Sequence, residues 1–192
     1  MTDVERLRAL IRSSSWHVWV LGIVRAARLP DAWVGAGAIR DLVWGELYGS
    51  GFHPSQVRDL DVAFFDPSDL SRDRDDSATR QLAAGAPDVP WEATNQAAVH
   101  TWYEATFGEP AAPLHSVADA IATWPETATA VGVRLGAGDE IEVCAPLGLG
   151  DLLSGVWRHN PRRISVERSL ERLARHRPAE RWPGVHVIPP SP

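Results

Sequence analysis

Two short segments of this chain carry residue types that could bind phosphate and a metal ion. Gly35, Ala36 and Gly37 end a short apolar run, and a helical pattern begins directly after them. Backbone amides at the start of a helix lack intrahelical partners and attract anions, so this turn could hold a phosphate group. Asp59 and Asp61 stand at alternate positions of the next apolar run. Because residues two apart in a strand share a face, these carboxylates would repel each other without a cation.

The order of these segments indicates one combined site. Hard dications such as Mg²⁺ take oxygen ligands and bridge to phosphate, and shared carboxylates suit two-metal sites. A strand, a glycine turn, a helix with Arg40 in its first turn and an Asp-x-Asp strand follow one another. The dinucleotide fingerprint is excluded because Arg40 occupies the place of its third glycine. All 19 basic residues are arginine, which excludes a Walker-type or Schiff-base lysine.

Composition limits the class of protein. The 192 residues are 44% hydrophobic, which suits one domain or one domain with a small appendage. The net charge of −6 argues against general nucleic-acid binding, although 158–181 holds eight arginines and three glutamates. We interpret this basic stretch as a solvated helix face. No apolar run is long enough for a membrane span, and the charged N-terminus and single cysteine favour a cytoplasmic protein.

The hydrophobic pattern predicts the elements that must position these residues. Helices are expected over 3–12, 15–28, 38–48, 95–104 and 164–176, the last with Val166, Leu170, Leu173 and Ala174 facing inward. Strands are expected in LDVAFF, VPWEATNQ and a hairpin that turns at 136–139. Strands and helices mix without a regular βαβ repeat, so an α+β fold is favoured. We expect 1–160 to form the domain and 161–192 to pack on it as a helix and a loose tail.

A family resemblance extends this interpretation. AGAIRD followed by DLDV resembles the glycine turn and the Asp-x-Asp of the tRNA CCA-adding and poly(A) polymerase group, within the DNA polymerase β nucleotidyltransferase superfamily. WEATNQAAVHTWY, WPETATAVGVRL and APLGLGDL are similar to segments of a family of small bacterial nucleotidyltransferase-like proteins, over about residues 25–160. The resemblance implies the nucleotidyltransferase fold, a mixed sheet flanked by helices. It also implies a divalent metal (Mg²⁺ or Mn²⁺) and a nucleoside triphosphate (NTP) such as ATP.

The resemblance also implies roles for individual residues. Asp59 and Asp61 match the catalytic metal carboxylates, and Arg40 matches an arginine that could meet phosphate. Gly37 matches the second glycine of the turn, whereas Ala36 stands where the CCA-adding group has its first. The phosphate turn would thus comprise Gly35, Ala36 and Gly37.

A third acid and a nucleotide contact are expected beyond these two motifs. Many enzymes of the superfamily use a third acid as the base for the attacking hydroxyl. Glu92 follows the Asp-x-Asp strand in the expected order, and Glu142 on a later strand is its rival. Asn95 and Gln96, polar residues after this strand, could contact the base or ribose, or could cap a helix or hold a loop.

The sequence therefore predicts a metal-dependent nucleotidyltransferase that moves a nucleoside monophosphate from an NTP to an unidentified acceptor hydroxyl. A small molecule or a protein is favoured as acceptor, RNA is a further candidate, and no membrane partner is expected. Two alternatives stay open. One is a nucleotide-binding module without catalytic activity, and the other is a nucleotidyltransferase of the toxin–antitoxin type.

Overall fold

The computed structural model describes residues 1–190. Its helices are α1 (Asp3–Ser13), α2 (Ser15–Ala27), α3 (Gly37–Tyr48), α4 (Arg72–Gly85), α5 (Val99–Phe107), α6 (Val117–Ile121), α7 (Gly150–Leu153), α8 (Val166–His176) and α9 (Pro178–Arg181). Its strands are β1 (Trp33–Gly35), β2 (Leu60–Phe64), β3 (Trp91–Asn95), β4 (Gly132–Leu135), β5 (Ile141–Cys144), β6 (Val156–Arg158) and β7 (His186–Ile188). None of these helices is both long and apolar enough to cross a membrane.

The central sheet has five strands in the order β3-β2-β1-β4-β5. Strands β2 and β3 run parallel, and the other neighbouring pairs are antiparallel. This mixed sheet flanked by helices confirms the α+β fold that the sequence predicts. The hairpin expected around 136–139 is present as β4 and β5.

Strand β2 separates an apolar face from a polar one. Leu60, Val62 and Phe64 are fully buried in the main core, which helices α1 to α4 share. Asp61 and Ala63 alternate with them and point to the opposite face. There Ala63 packs beside Val117 of α6, while Asp61 stays partly exposed. The alternation therefore places the acidic residues on the less covered side of the sheet.

The C-terminal segment differs from its prediction. Residues 185–192 were expected to form a loose tail, but His186–Ile188 pairs in parallel with Val156–Arg158. Positions 191 and 192 lie outside the described residues. The local pattern missed this strand because its partner lies about thirty residues earlier, and long-range pairing leaves little local trace. Trp182, just before the strand, packs edge-on against Trp44 with ring centroids 5.2 Å apart.

Helix α8 forms where predicted, but it presents a different face to the core. Leu173 packs against the core, whereas Leu170 is 48% exposed and Ala174 is also exposed. The inward positions expected for Leu170 and Ala174 are therefore wrong. The helix is rotated because a polar edge faces the domain: Ser169 is fully buried and Arg172 pairs with a buried glutamate. Charge pairing with the domain outweighs burial of the apolar stripe.

Candidate active site

A cavity of about 930 Å³ opens on the polar face of the sheet. Its walls come from the start of α3, the segment 55–59, strands β2 and β3, the segment 124–129 and the C-terminal helices α8 and α9. Residues that line it include Ala36, Gly37, Arg40, Asp59, Asp61, Ala63, Glu92, Thr94, Gln96, Trp124, Thr129, Arg172, Arg175 and His176.

Three carboxylates gather on one wall of this cavity. Asp61 on β2 lies opposite Glu92 on the parallel strand β3, and Asp59 precedes Asp61 on the same face. Among residues 1–190, no side chain or amide donates a hydrogen bond to these three groups, and none forms an ion pair with them. Burial and the charges of Asp59 and Glu92 raise the pKa of Asp61 to about 7. The wall thus carries negative charge that no direct hydrogen bond or ion pair of the described residues neutralises.

The turn before α3 opens into the same space. A β-carbon placed at Gly37 would lie 3.6 Å from an Arg40 Nη2 and 4.0 Å from Asp59 Oδ1. Helix α3 has no side-chain cap, and its first intrahelical bond runs from the Arg40 amide to the Ala36 carbonyl. Within the described chain, the amides of residues 37–39 therefore have no partner. The turn and the acids share one opening, as phosphate and metal binding at one site requires.

Ala36 occupies an unusual backbone conformation in this turn. Its φ of 53° and ψ of −121° lie in a region that glycine adopts far more easily than alanine. The Ala36 amide donates to the Val131 carbonyl at 3.3 Å, so this amide is used within the fold. The residue shapes the turn, and its own N–H points to the neighbouring segment.

Gly35 is the last residue of β1, where it pairs with Gly132. A β-carbon at Gly35 would overlap the six-membered ring of Trp124, which rests on its backbone. The absence of a side chain at this position is therefore explained by the close approach of Trp124. Gly35 itself is absent from the cavity lining, whereas Ala36 and Gly37 belong to it.

Arg40 lies beneath the glycine turn and is only 3% exposed. Its Nε and Nη2 donate to Asp41 Oδ1 at 2.9 and 2.6 Å. Its guanidinium also stands 5.3 to 5.9 Å from the ring centres of three tryptophans, Trp44, Trp157 and Trp182. Pairing and stacking compensate a buried charge and fix its position at the cavity wall.

The opposite wall is built by α8 and α9. Arg172 donates to both carboxylate oxygens of the fully buried Glu126, at 2.7 and 3.1 Å. Its charge acts on Asp61, where it lowers a pKa that burial raises. The interpretation of 158–181 as a solvated face is therefore wrong for Arg172. The pattern could not reveal this pair, because Glu126 lies 46 residues earlier in the chain.

The structure does not bring Asn95 or Glu142 to the acids. Asn95 is fully buried and its side-chain amide donates to the carbonyls of Asp66 and Asp69, so it holds the loop after β2. Glu142 lies on β5, which strands β1 and β4 separate from β2, and it accepts from Arg134 Nε at 2.7 Å. Of the two candidate third acids, only Glu92 faces Asp61.

Thr94 and Trp124 are cavity residues that sequence reasoning does not predict. Thr94 shares the face of Glu92 on β3, as does Gln96 just after it, and Trp124 comes from the segment before β4. Glu, Thr and Gln alternate in WEATNQ. This alternation could have shown that Gln96, and not Asn95, shares a face with Glu92. No local signal marked Trp124, whose position depends on its contact with Gly35.

The donor set fits a hard divalent cation. In the part of the chain that is described, no three His, Cys, Asp or Glu side chains form a complete ligand group. Two carboxylates beside free amides nevertheless offer the oxygen ligands and the phosphate contacts that Mg²⁺ or Mn²⁺ shares with a triphosphate. The negative charge that surrounds Asp61 is of the sign that a cation would neutralise.

Comparisons with known proteins agree with this geometry. A family model described as Nucleotidyltransferase matches residues 22–187. A solved structure described as an NMR structure that reveals a CCA-adding enzyme head domain is similar, with a TM-score of 0.80 and 29% identity. That similarity covers 97% of this chain and 96% of the other. A search of curated proteins finds no significant match. The expected resemblance is confirmed, and the chain belongs to a nucleotidyltransferase family.

Proposed function

We propose that this protein is a divalent-metal-dependent nucleotidyltransferase that transfers a nucleoside monophosphate from an NTP to an acceptor hydroxyl. One observation carries the proposal: three unpaired carboxylates and the free amides of a helix start line the same cavity. The similarity to a CCA-adding enzyme head domain supports nucleotidyl transfer as the class of reaction.

The residues that line the cavity have distinct roles in this reaction. Asp59 and Asp61 hold the cation, which when bound neutralises the triphosphate and the charge that develops during transfer. The amides of residues 37–39 bind phosphate oxygens, and the Arg40 charge beneath them favours that anion. Arg172, fixed by Glu126, places a second positive charge on the opposite wall.

Glu92 is the proposed general base. It accepts the proton of the acceptor hydroxyl, whose oxygen then forms a bond to the α-phosphorus. The bond from the α-phosphorus to the oxygen of the β-phosphate breaks, and pyrophosphate leaves with that oxygen. Its register partner Asp61 would hold a cation on the same wall. Positioning and charge neutralisation supply most of the rate gain.

The acceptor is best sought among molecules that can enter the cavity beside the nucleotide. A volume of about 930 Å³ lies near the upper end of small-molecule sites, which span roughly 300–1,000 Å³. A small molecule, or an exposed hydroxyl of a protein segment, fits this space. The net charge of −6 also disfavours an extended RNA surface.

The test incubates α-labelled NTPs with Mg²⁺ or Mn²⁺ and a panel of acceptors. It measures the label transferred to each acceptor and the pyrophosphate released. We expect metal-dependent labelling of an acceptor, which Asp61→Asn abolishes and Glu92→Gln lowers at least a hundredfold. Asp151→Asn is the matched control, because that acid pairs with Arg158 outside the acidic wall. NTP binding without transfer to any acceptor would favour the binding module, and the absence of binding would contradict both.

A further inference from the structure

The cavity extends beyond the acids along strands β2 and β3. On the same face, Ala63 and Thr94 lie opposite each other, two residues beyond Asp61 and Glu92. Gln96 follows after two more residues, which places it about 13 Å along the strand from Glu92. We call Ala63, Thr94 and Gln96 the inner end of the cavity. A nucleotide whose triphosphate lies at the acids would direct its ribose and base along the strands.

Gln96 has an unused hydrogen-bonding group at this inner end. The residue is only 6% exposed, and its backbone amide is tied to the Phe64 carbonyl at 2.8 Å. Its side-chain Nε2 donates to the Thr94 carbonyl at 3.2 Å, whereas its Oε1 accepts no bond from any residue described. Gln96 lines the cavity, so this oxygen is open to a hydrogen-bond donor of a bound ligand.

Trp124 supplies an aromatic wall to the same cavity, where its ring contacts Gly35. Its ring edge rests on Gly35, which is the register neighbour of Gly132 and lies on the cavity side of the sheet. Within residues 1–190, no other aromatic ring or guanidinium stacks on the Trp124 ring. Trp44 and Trp157, in contrast, are fully buried, and the guanidinium of Arg40 already lies over their rings. Trp124 therefore presents a ring that a planar ligand could cover.

We propose that Trp124 and Gln96 form the nucleobase subsite, an inference that rests on the proposed function. Trp124 stacks on the base, and Gln96 Oε1 accepts a hydrogen bond from an exocyclic amino group on the base edge. Bases that carry an amino group are preferred over uracil, because a carbonyl facing Oε1 would leave both oxygens without a donor. Gln96 is a specificity-determining residue in this arrangement, and Trp124 contributes affinity for every base.

CTP and UTP form the matched ligand pair, since their bases differ at the amino-bearing edge. Calorimetry in the presence of Mg²⁺ measures the dissociation constants of three ligands. These are non-hydrolysable analogues of CTP and of UTP, and inorganic tripolyphosphate. The wild-type protein is expected to bind the CTP analogue about tenfold more tightly than the UTP analogue. Gln96→Leu brings this ratio close to one.

Trp124→Leu is expected to weaken both analogues about tenfold, because base stacking is lost. Tripolyphosphate affinity stays unchanged in both variants, which also reports that they fold. Trp19→Leu is the control, because Trp19 is 49% exposed on α2. Equal affinity of the wild-type protein for the two analogues would overturn the base subsite, as would unchanged dissociation constants in both variants. Tripolyphosphate binding would still support the proposed function in either case. No binding of any of the three ligands would overturn both.

Discussion

Asp61 and Glu92 lie side by side on the parallel strands β2 and β3, and neither carboxylate has a partner among the residues described. Neighbouring parallel strands are only about 4.8 Å apart, so two like charges in register repel strongly. With Asp59 two residues before Asp61, the fold places three acids on one wall. Natural proteins retain such unfavourable charge where a ligand requires it.

The first prediction concerns the stability cost of Asp61. Its pKa rises from 3.8 to about 7 in the folded protein, so the folded state keeps a proton that the unfolded chain has lost between these values. Stability contributed by this group therefore falls as pH rises from 4 to 7. Asp61→Asn should stabilise the metal-free protein at pH 8 by about 1–4 kcal/mol, with little effect near pH 4.

Urea unfolding with EDTA, from pH 4 to 8, measures this difference. Asp151→Asn is a suitable comparison, because hydrogen bonds from Arg158 and Thr127 lower the pKa of Asp151 and its replacement should destabilise. A loss of stability in Asp61→Asn at every pH would contradict the repulsion.

The second prediction concerns the contact between Gly35 and Trp124. A methyl group at position 35 must push the Trp124 ring away, because the two would overlap. Gly35→Ala should cost about 1–3 kcal/mol of unfolding free energy, and the double variant with Trp124→Leu should recover part of it. Thermal denaturation of the three variants measures the coupling. Additive effects would indicate that the ring does not rest on Gly35.

The third prediction concerns backbone strain at Ala36. Because φ is 53° and ψ is −121° there, Ala36→Gly should stabilise the protein by about 1 kcal/mol and leave tripolyphosphate affinity equal or higher. Ala38→Gly, in the first turn of α3, should destabilise the protein by about 0.5–1 kcal/mol. Chemical denaturation measures the free energy of unfolding of the two variants and of the wild-type protein. If both substitutions destabilised equally, the turn at Ala36 would carry no strain.

The fourth prediction concerns His17, which is fully buried between Ser14 and the Ala38 carbonyl. Burial lowers its pKa from 6.5 to about 4, so between these values the unfolded state binds the extra proton. The stability that His17 contributes is complete above pH 6.5 and is lost as pH falls towards 4. His17→Gln should flatten this part of the profile.

Stability curves over pH 4–8 test the assignment. His53→Gln, at an exposed position, serves as control and should keep the wild-type slope. His176 retains its own contribution in both variants, because burial also lowers its pKa to about 4. An unchanged slope in His17→Gln would contradict the role given to His17.

Sequence reasoning located the parts of the site that local pattern encodes. The Asp59 and Asp61 alternation and the turn before α3 are short-range features, and both line the cavity. Glu92 was expected from the strand order that the family resemblance implies, whereas its register with Asp61 comes from a parallel pairing that the sequence did not predict.

The opposite wall could not be predicted in the same way. Arg172 reaches the cavity through a bond to Glu126, 46 residues away, and Trp124 reaches it through its contact with Gly35. Asn95 and Gln96 are adjacent polar residues, and only the phase of β3 decides which one faces the cavity. Such long-range contacts and strand phase depend on packing and leave no signature in neighbouring residues.

The central claim is that Asp59 and Asp61 hold a divalent cation beside the triphosphate. The most direct measurement is a crystal structure with Mn²⁺ and a non-hydrolysable NTP, with the metal located by its anomalous signal. We predict a peak bound by carboxylate oxygens of Asp59 and Asp61 at about 2.0–2.2 Å, with phosphates at the amides of residues 37–39. A nucleotide bound elsewhere, or a metal that contacts neither aspartate, would contradict the account.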